Sequence, residues 1–166
     1  MIRPLVVGLA AGVLVGLPMS SGARNAQPTT CPMSHVHYTP YPGVEQGLAA
    51  LPWIAAAPDG SFKAHLFFYD PRLLPWARDR LLGARIFTVR KRRQINPKVL
   101  WITRATGYGR TLTMTGERLD RPGHFSATYQ GFGDYPSYVS VPTPGCWRVS
   151  VTSGRVTGRV VFSATD

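Results

Sequence analysis

Cys31, Met33, His35 and His37 form the densest local set of metal-ligating side chains in this chain. In an extended segment alternate side chains project to one side, so a thiolate, a thioether and two imidazoles would face the same way. Such a donor set suits copper. The signal is weak, because the cysteine–histidine–methionine loop of blue-copper proteins is missing and Cys31 has a competing use in a disulfide. No cofactor is therefore assigned; His35 and His37 are kept as weak metal candidates, and a solvated arm is the ordinary reading. His65 and His124 are isolated and read as structural.

The second concentration is Arg90-Lys91-Arg92-Arg93, the one dense charge run in a chain of formal net charge +11. Joined by Lys98, Arg104 and Arg110 where the fold brings them near, it could hold an anionic envelope polymer, a phospholipid surface or nucleic acid through salt-sensitive contacts. A solvated loop, or protection of a sheet edge, is the ordinary role for so short a run. No recognition helix or aromatic stacking motif accompanies it, so sequence-specific nucleic-acid binding is not expected.

Carboxylates are few. Glu117 and Asp120 lie beside Arg118 and Arg121 in a polar turn, where local ion pairing is the plain reading. A glycosidase would need two carboxylates flanking a cleft. Gly-x-Ser-x-Gly, His-Glu-x-x-His and phosphate-loop patterns are all missing from the sequence. The chain is accordingly read as non-catalytic. A secreted hydrolase with a loop-assembled site and a copper-binding arm are the alternatives.

The elements that must position these residues begin with a targeting segment. Arg3 precedes an uncharged run from Leu5 to Leu17, and Ser21-Gly22-Ala23 supplies small residues before a cleavage point. This describes a secretory signal peptide over residues 1–23, too short in its apolar part to span a bilayer. Membrane association is expected only if that segment stays uncleaved. Residues 24–46, rich in Pro, Thr and Ser, read as an extended arm. Residues 47–166 are enough for a single domain with its own core.

Cys31 and Cys146 are an even pair in an exported chain, which points to a disulfide tying the arm to the closing hairpin. A free buried thiol at Cys146 and a mobile one at Cys31 is the alternative. Within the domain, strands are expected near Leu51–Ala57, Phe62–Tyr69, Ala84–Val89, Lys98–Arg104, Thr111–Thr115, Phe125–Tyr129, Tyr138–Val141, Cys146–Thr152 and Val156–Phe162. Turn signals such as Pro58-Asp59-Gly60, Asn96-Pro97 and Ser153-Gly154 separate them. Asp70–Gly83 fits a short helical turn or crossover better than a strand. In the closing hairpin, period-two alternation sends Trp147, Val149 and Val151, with Val156, Gly158, Val160 and Phe162, toward the core. Cys146 and Arg148 fall on the other face. The expectation is an all-β, immunoglobulin-like two-sheet sandwich of about 7–9 strands.

The order Leu66-Phe67-Phe68-Tyr69, Arg85-Ile86-Phe87-Thr88, Lys98-Val99-Leu100-Trp101, Leu112–Asp120, Tyr135-Pro136-Ser137 and Pro142–Val151 resembles a group of uncharacterised exported bacterial proteins. These share Pro-Ser, then Pro-Thr-x-Gly-Cys-Trp, then a terminal alternating strand. The resemblance runs from about Trp53 to Phe162, and the Gly-Cys-Trp block is its most specific part. It implies bacterial export and a β-rich fold, and nothing about catalysis. The expected protein is a secreted or cell-envelope binding or structural module, with an anionic envelope polymer or another envelope protein as its partner.

Overall fold

A computed structural model describes residues 30–41, 43, 46–69, 83–89 and 97–166. The expected signal segment, most of the 70–83 crossover and the Arg90–Arg93 run lie outside them. Among the described residues, nine strands form two packed sheets, with one 3-10 turn at Gln46–Leu48. Sheet I holds β1 (Trp53–Ala55), β2 (Phe62–Leu66), β4 (Lys98–Thr103) and β7 (Asp134–Tyr138), in the order β1-β2-β4-β7. Sheet II holds β3 (Arg85–Phe87), β5 (Thr111–Arg118), β6 (His124–Gln130), β8 (Gly145–Ser153) and β9 (Val156–Thr165), in the order β3-β9-β8-β5-β6. Every described pair of strands is antiparallel except β3 with β9. The all-β two-sheet sandwich is the fold.

The alternation in the closing hairpin decides its faces. Trp147, Val149, Val160 and Phe162 are fully buried, while Thr152, Thr157 and Arg159 on the opposite face are exposed. Gly154, at φ 57°, makes the turn between β8 and β9 in a backbone conformation that favours glycine. Inward residues of sheet I, including Ile54, Phe62, Val99, Trp101 and Tyr135, complete the core. One polar link crosses between the sheets: the Tyr135 hydroxyl donates to Gly109 O at 2.5 Å and lies 2.7 Å from Ser153 Oγ. Trp101 Nε1 donates to Ser137 Oγ at 2.9 Å.

Three expectations need correction. The strand placed at Tyr138–Val141 is instead Asp134–Tyr138, and it contains Pro136. Proline is tolerated because β7 is an edge strand. Gly133 O accepts from Thr103 N–H, which fixes the hydrogen-bond phase so that Pro136 sits at a position facing away from β4. Secondly, the strand expected over Phe62–Tyr69 ends at Leu66 as β2, and Phe67 is exposed. Double-sided burial occurs at Ala64–Leu66, where Tyr41 of the arm covers His65. Thirdly, β5 runs on through Glu117 and Arg118, which the sequence reading placed in a turn.

Nor is the arm simply solvated. Val36 is fully buried in the core, Ser34 N–H donates to Val161 O, and His37 and Trp53 exchange two backbone hydrogen bonds. The chain thus crosses from sheet II at β9 to sheet I at β1, and Cys31 is joined to Cys146 by the expected disulfide.

Candidate functional site

A broad concavity lies at the end of the sandwich where β1 leaves sheet I and meets β9 of sheet II. Arg159 N–H donates to Ala56 O at 2.6 Å, pinning the two sheets together there. Gly158 permits the approach, since a Cβ on it would stand 3.0 Å from Ala56 Cβ. The following Pro58-Asp59-Gly60 turn closes with Gly60 N–H donating to Ala57 O, and Asp59 Oδ1 accepts from Ser61 N–H at 3.0 Å. That side-chain turn suits aspartate, and Gly60 takes φ 70° without strain. The Ser61 hydrogen bonds hold the Asp59 carboxyl below its ordinary pKa, so it is an anion at neutral pH.

Three hollows adjoin around this turn, with volumes of about 670, 450 and 360 Å³. The first and second share Ala57, Pro58 and Thr157; the second and third share Asp59, Ser61 and Ala105. Together they make one groove carrying Arg159, Arg155, Lys63 and Arg104. Its hydroxyls come from Ser61, Thr106, Ser150, Thr152 and Thr157, and Asp59 is its one carboxylate among the described residues. Lys63 Nζ donates to Gly60 O at 2.6 Å and sits 4.5 Å from the Tyr41 ring centroid. Arg104 pairs with Asp134 at 2.8 Å, but both are well exposed, so the pair is weak and open to exchange with another anion.

Sequence reasoning named Arg104 and missed the other three cations. Period-two alternation on β9 already placed Thr157 and Arg159 on the outer face; what it could not supply was the turn facing them. Of the other basic residues it named, Lys98 lies over the Phe67 ring and Arg110 over Phe132. Arg90, Lys91, Arg92 and Arg93 fall outside the described residues.

The arm's metal set is not brought together as a set. Cys31 is spent in the disulfide and Met33 packs against Gly83, leaving His35 and His37 edge to face at 4.6 Å. His37 also stacks on Trp53 at 4.2 Å. Burial, followed by the neighbouring His35 charge, lowers its pKa. No group of three or more His, Cys, Asp or Glu able to hold a metal occurs among the described residues. His65, buried beneath Tyr41 at 3.2 Å from its hydroxyl, is likewise held toward its neutral form by burial and by Lys63.

Glu117 and Asp120 are committed to ion pairs, with Arg148 and with Arg118 and Arg121 respectively. The Arg118 side chain is only 6% exposed and crosses directly over Gly145, where a Cβ would lie 2.5 Å from its guanidinium. Hydrogen bonding from Arg118 lowers the Asp120 pKa from 3.8 to about 2. A depressed carboxyl pKa adds stability that is present above the unfolded value and is lost as pH falls through the folded one. Unfolding midpoints measured between pH 5 and pH 2 should therefore fall more steeply for the native protein than for Asp120→Asn. Parallel curves would contradict the role given to this pair.

No protein-family model, curated protein or solved structure matches this chain. What the groove can do follows from its own chemistry. Guanidinium and ammonium groups beside hydroxyl donors complement phosphate, sulfate or carboxylate oxygens, and the elongated form admits more than one such group.

Proposed function

We propose that this protein is a secreted or cell-envelope β-sandwich module, non-catalytic, that binds an anionic polymer along the groove around the Pro58–Gly60 turn. The observation carrying this reading is the convergence of Lys63, Arg104, Arg155 and Arg159 on a hydroxyl-lined groove with a single carboxylate. The Arg90–Arg93 run adds a further basic segment to the same chain. Export is supported by the amino-terminal pattern and by the Cys31–Cys146 bridge, which suits an oxidising compartment.

Binding of this kind weakens steeply with salt as condensed counterions are displaced. On immobilised polyphosphate or teichoic acid, Arg155→Ala with Arg159→Ala should raise the apparent Kd about tenfold and flatten its salt dependence, with an unchanged melting temperature. Replacing Arg90–Arg93 by alanine measures the second segment separately. Retention that is unaffected by the groove variants would sink the assignment of the groove.

A further inference from the structure

A β-sandwich must deal with the unpaired N–H and C=O groups of its edge strands, which otherwise template pairing with another chain. Most of the edges here are guarded. Along β9, beyond the reach of the short β3, the outer groups of Arg159 and Val161 are taken by Ala56 and by Ser34. On the other sheet, β1 is covered by His37, and β7 carries Pro136 facing outward. β3 is three residues long.

β6 is the exception. It ends sheet II, runs seven residues in unbroken register with β5, and contains neither a charged residue nor a proline. Among the described residues no strand pairs with its outer edge. The hydrogen-bond phase is fixed at both ends, by Arg118 N–H donating to Gly123 O and Gly131 N–H donating to Arg110 O. Odd-numbered residues of β6 therefore bond to β5, and the main-chain groups of His124, Ser126, Thr128 and Gln130 face outward.

The sequence of this edge, His124-Phe125-Ser126-Ala127-Thr128-Tyr129-Gln130, is a near-palindrome by residue type. We propose that β6 pairs antiparallel with β6 of a second copy about a two-fold axis at Ala127, joining two five-stranded sheets into one of ten. This register sets His124 opposite Gln130 and Ser126 opposite Thr128, as hydrogen-bonded pairs made from the four outward-facing residues. It sets Phe125 opposite Tyr129 twice, in the closer non-hydrogen-bonded positions where cross-strand aromatic pairs gain most. Such self-complementarity is what a two-fold interface requires. A strip without charge also lets two copies of a strongly basic chain approach where repulsion is least.

Sedimentation equilibrium on the full chain over a range of concentrations tests this directly. The native protein should show a monomer–dimer equilibrium. Ser126→Lys with Thr128→Lys, both on exposed side chains, should shift it at least tenfold toward monomer by placing like charges opposite one another, with the circular dichroism spectrum unchanged. Ser126→Lys with Thr128→Glu places opposite charges across the same pairs and should restore the dimer. Should the double-lysine variant misfold, Ala127→Cys gives a second reading, because it should cross-link through the axis on mild oxidation. A native protein that stays monomeric at every concentration, a dimer indifferent to the double lysine, or no Ala127→Cys cross-link would overturn the proposal.

Discussion

Replacing Trp147 by alanine should cost about 3–5 kcal/mol, a large part of the 5–15 kcal/mol that holds a domain of this size together. The side chain is fully buried in β8, with Phe125 at 5.7 Å and the Arg118 guanidinium 6.0 Å from its ring. Its Nε1 donates to Thr143 O at 2.9 Å. Truncation removes that apolar area, opens a cavity that the β8 ladders to β5 and β9 cannot collapse, and strands the Thr143 carbonyl. Trp147→Phe keeps a ring in place and loses the hydrogen bond, so its cost should be nearer 1–2 kcal/mol. Denaturant midpoints of the two variants should fall in that order. A loss below about 1 kcal/mol for the alanine variant would mean that the core does not depend on this residue.

Removing the Cys31–Cys146 bridge should have the next largest effect. It closes a loop with a sequence separation of 115, for which chain-entropy reasoning gives an upper figure of about 4–5 kcal/mol. The arm also loses its anchor. The Ser34–Val161 and His37–Trp53 hydrogen bonds and the buried Val36 side chain would be left to hold it. Cys31→Ala with Cys146→Ala should lower the melting temperature by about 10 °C. The Ser34, Val36 and His37 amides should exchange with solvent much faster than those of β8. If melting and exchange both match the native protein, the arm is held by its hydrogen bonds alone.

Gly145-Cys146-Trp147 joins these two effects in three consecutive residues. Gly145, at φ 142°, has no side chain to obstruct the Arg118 guanidinium, Cys146 fastens the arm, and Trp147 fills the core. The Asp120 carboxylate ties the group together, accepting from Arg118 at 2.8 Å and from Cys146 N–H at 3.3 Å. The unusual composition of this block is explained by packing and anchoring around one buried guanidinium.

The faces of β8 and β9 were legible because a strand's side chains alternate with period two, so neighbours in sequence carry the information. The turn at Gly154 and the Pro58–Gly60 turn were legible for a similar reason, since they depend on local backbone preference. β7 was misplaced because proline argues against a strand unless the strand lies at an edge, and edge position is a property of the sheet. The parallel pairing of β3 with β9 joins Ile86 to Ala164 across most of the domain, and no local pattern encodes it.

By itself, then, the sequence determined an all-β chain, the inward set of its closing hairpin, the cysteine pair and a strongly basic charge. Only the tertiary structure decided that Lys63, Arg104, Arg155 and Arg159 line one groove, that Val36 of the arm is buried in the core, and that β6 ends a sheet. Alternation and turn chemistry act between adjacent residues. Convergence depends on strand order, which is set by packing between residues far apart in the chain.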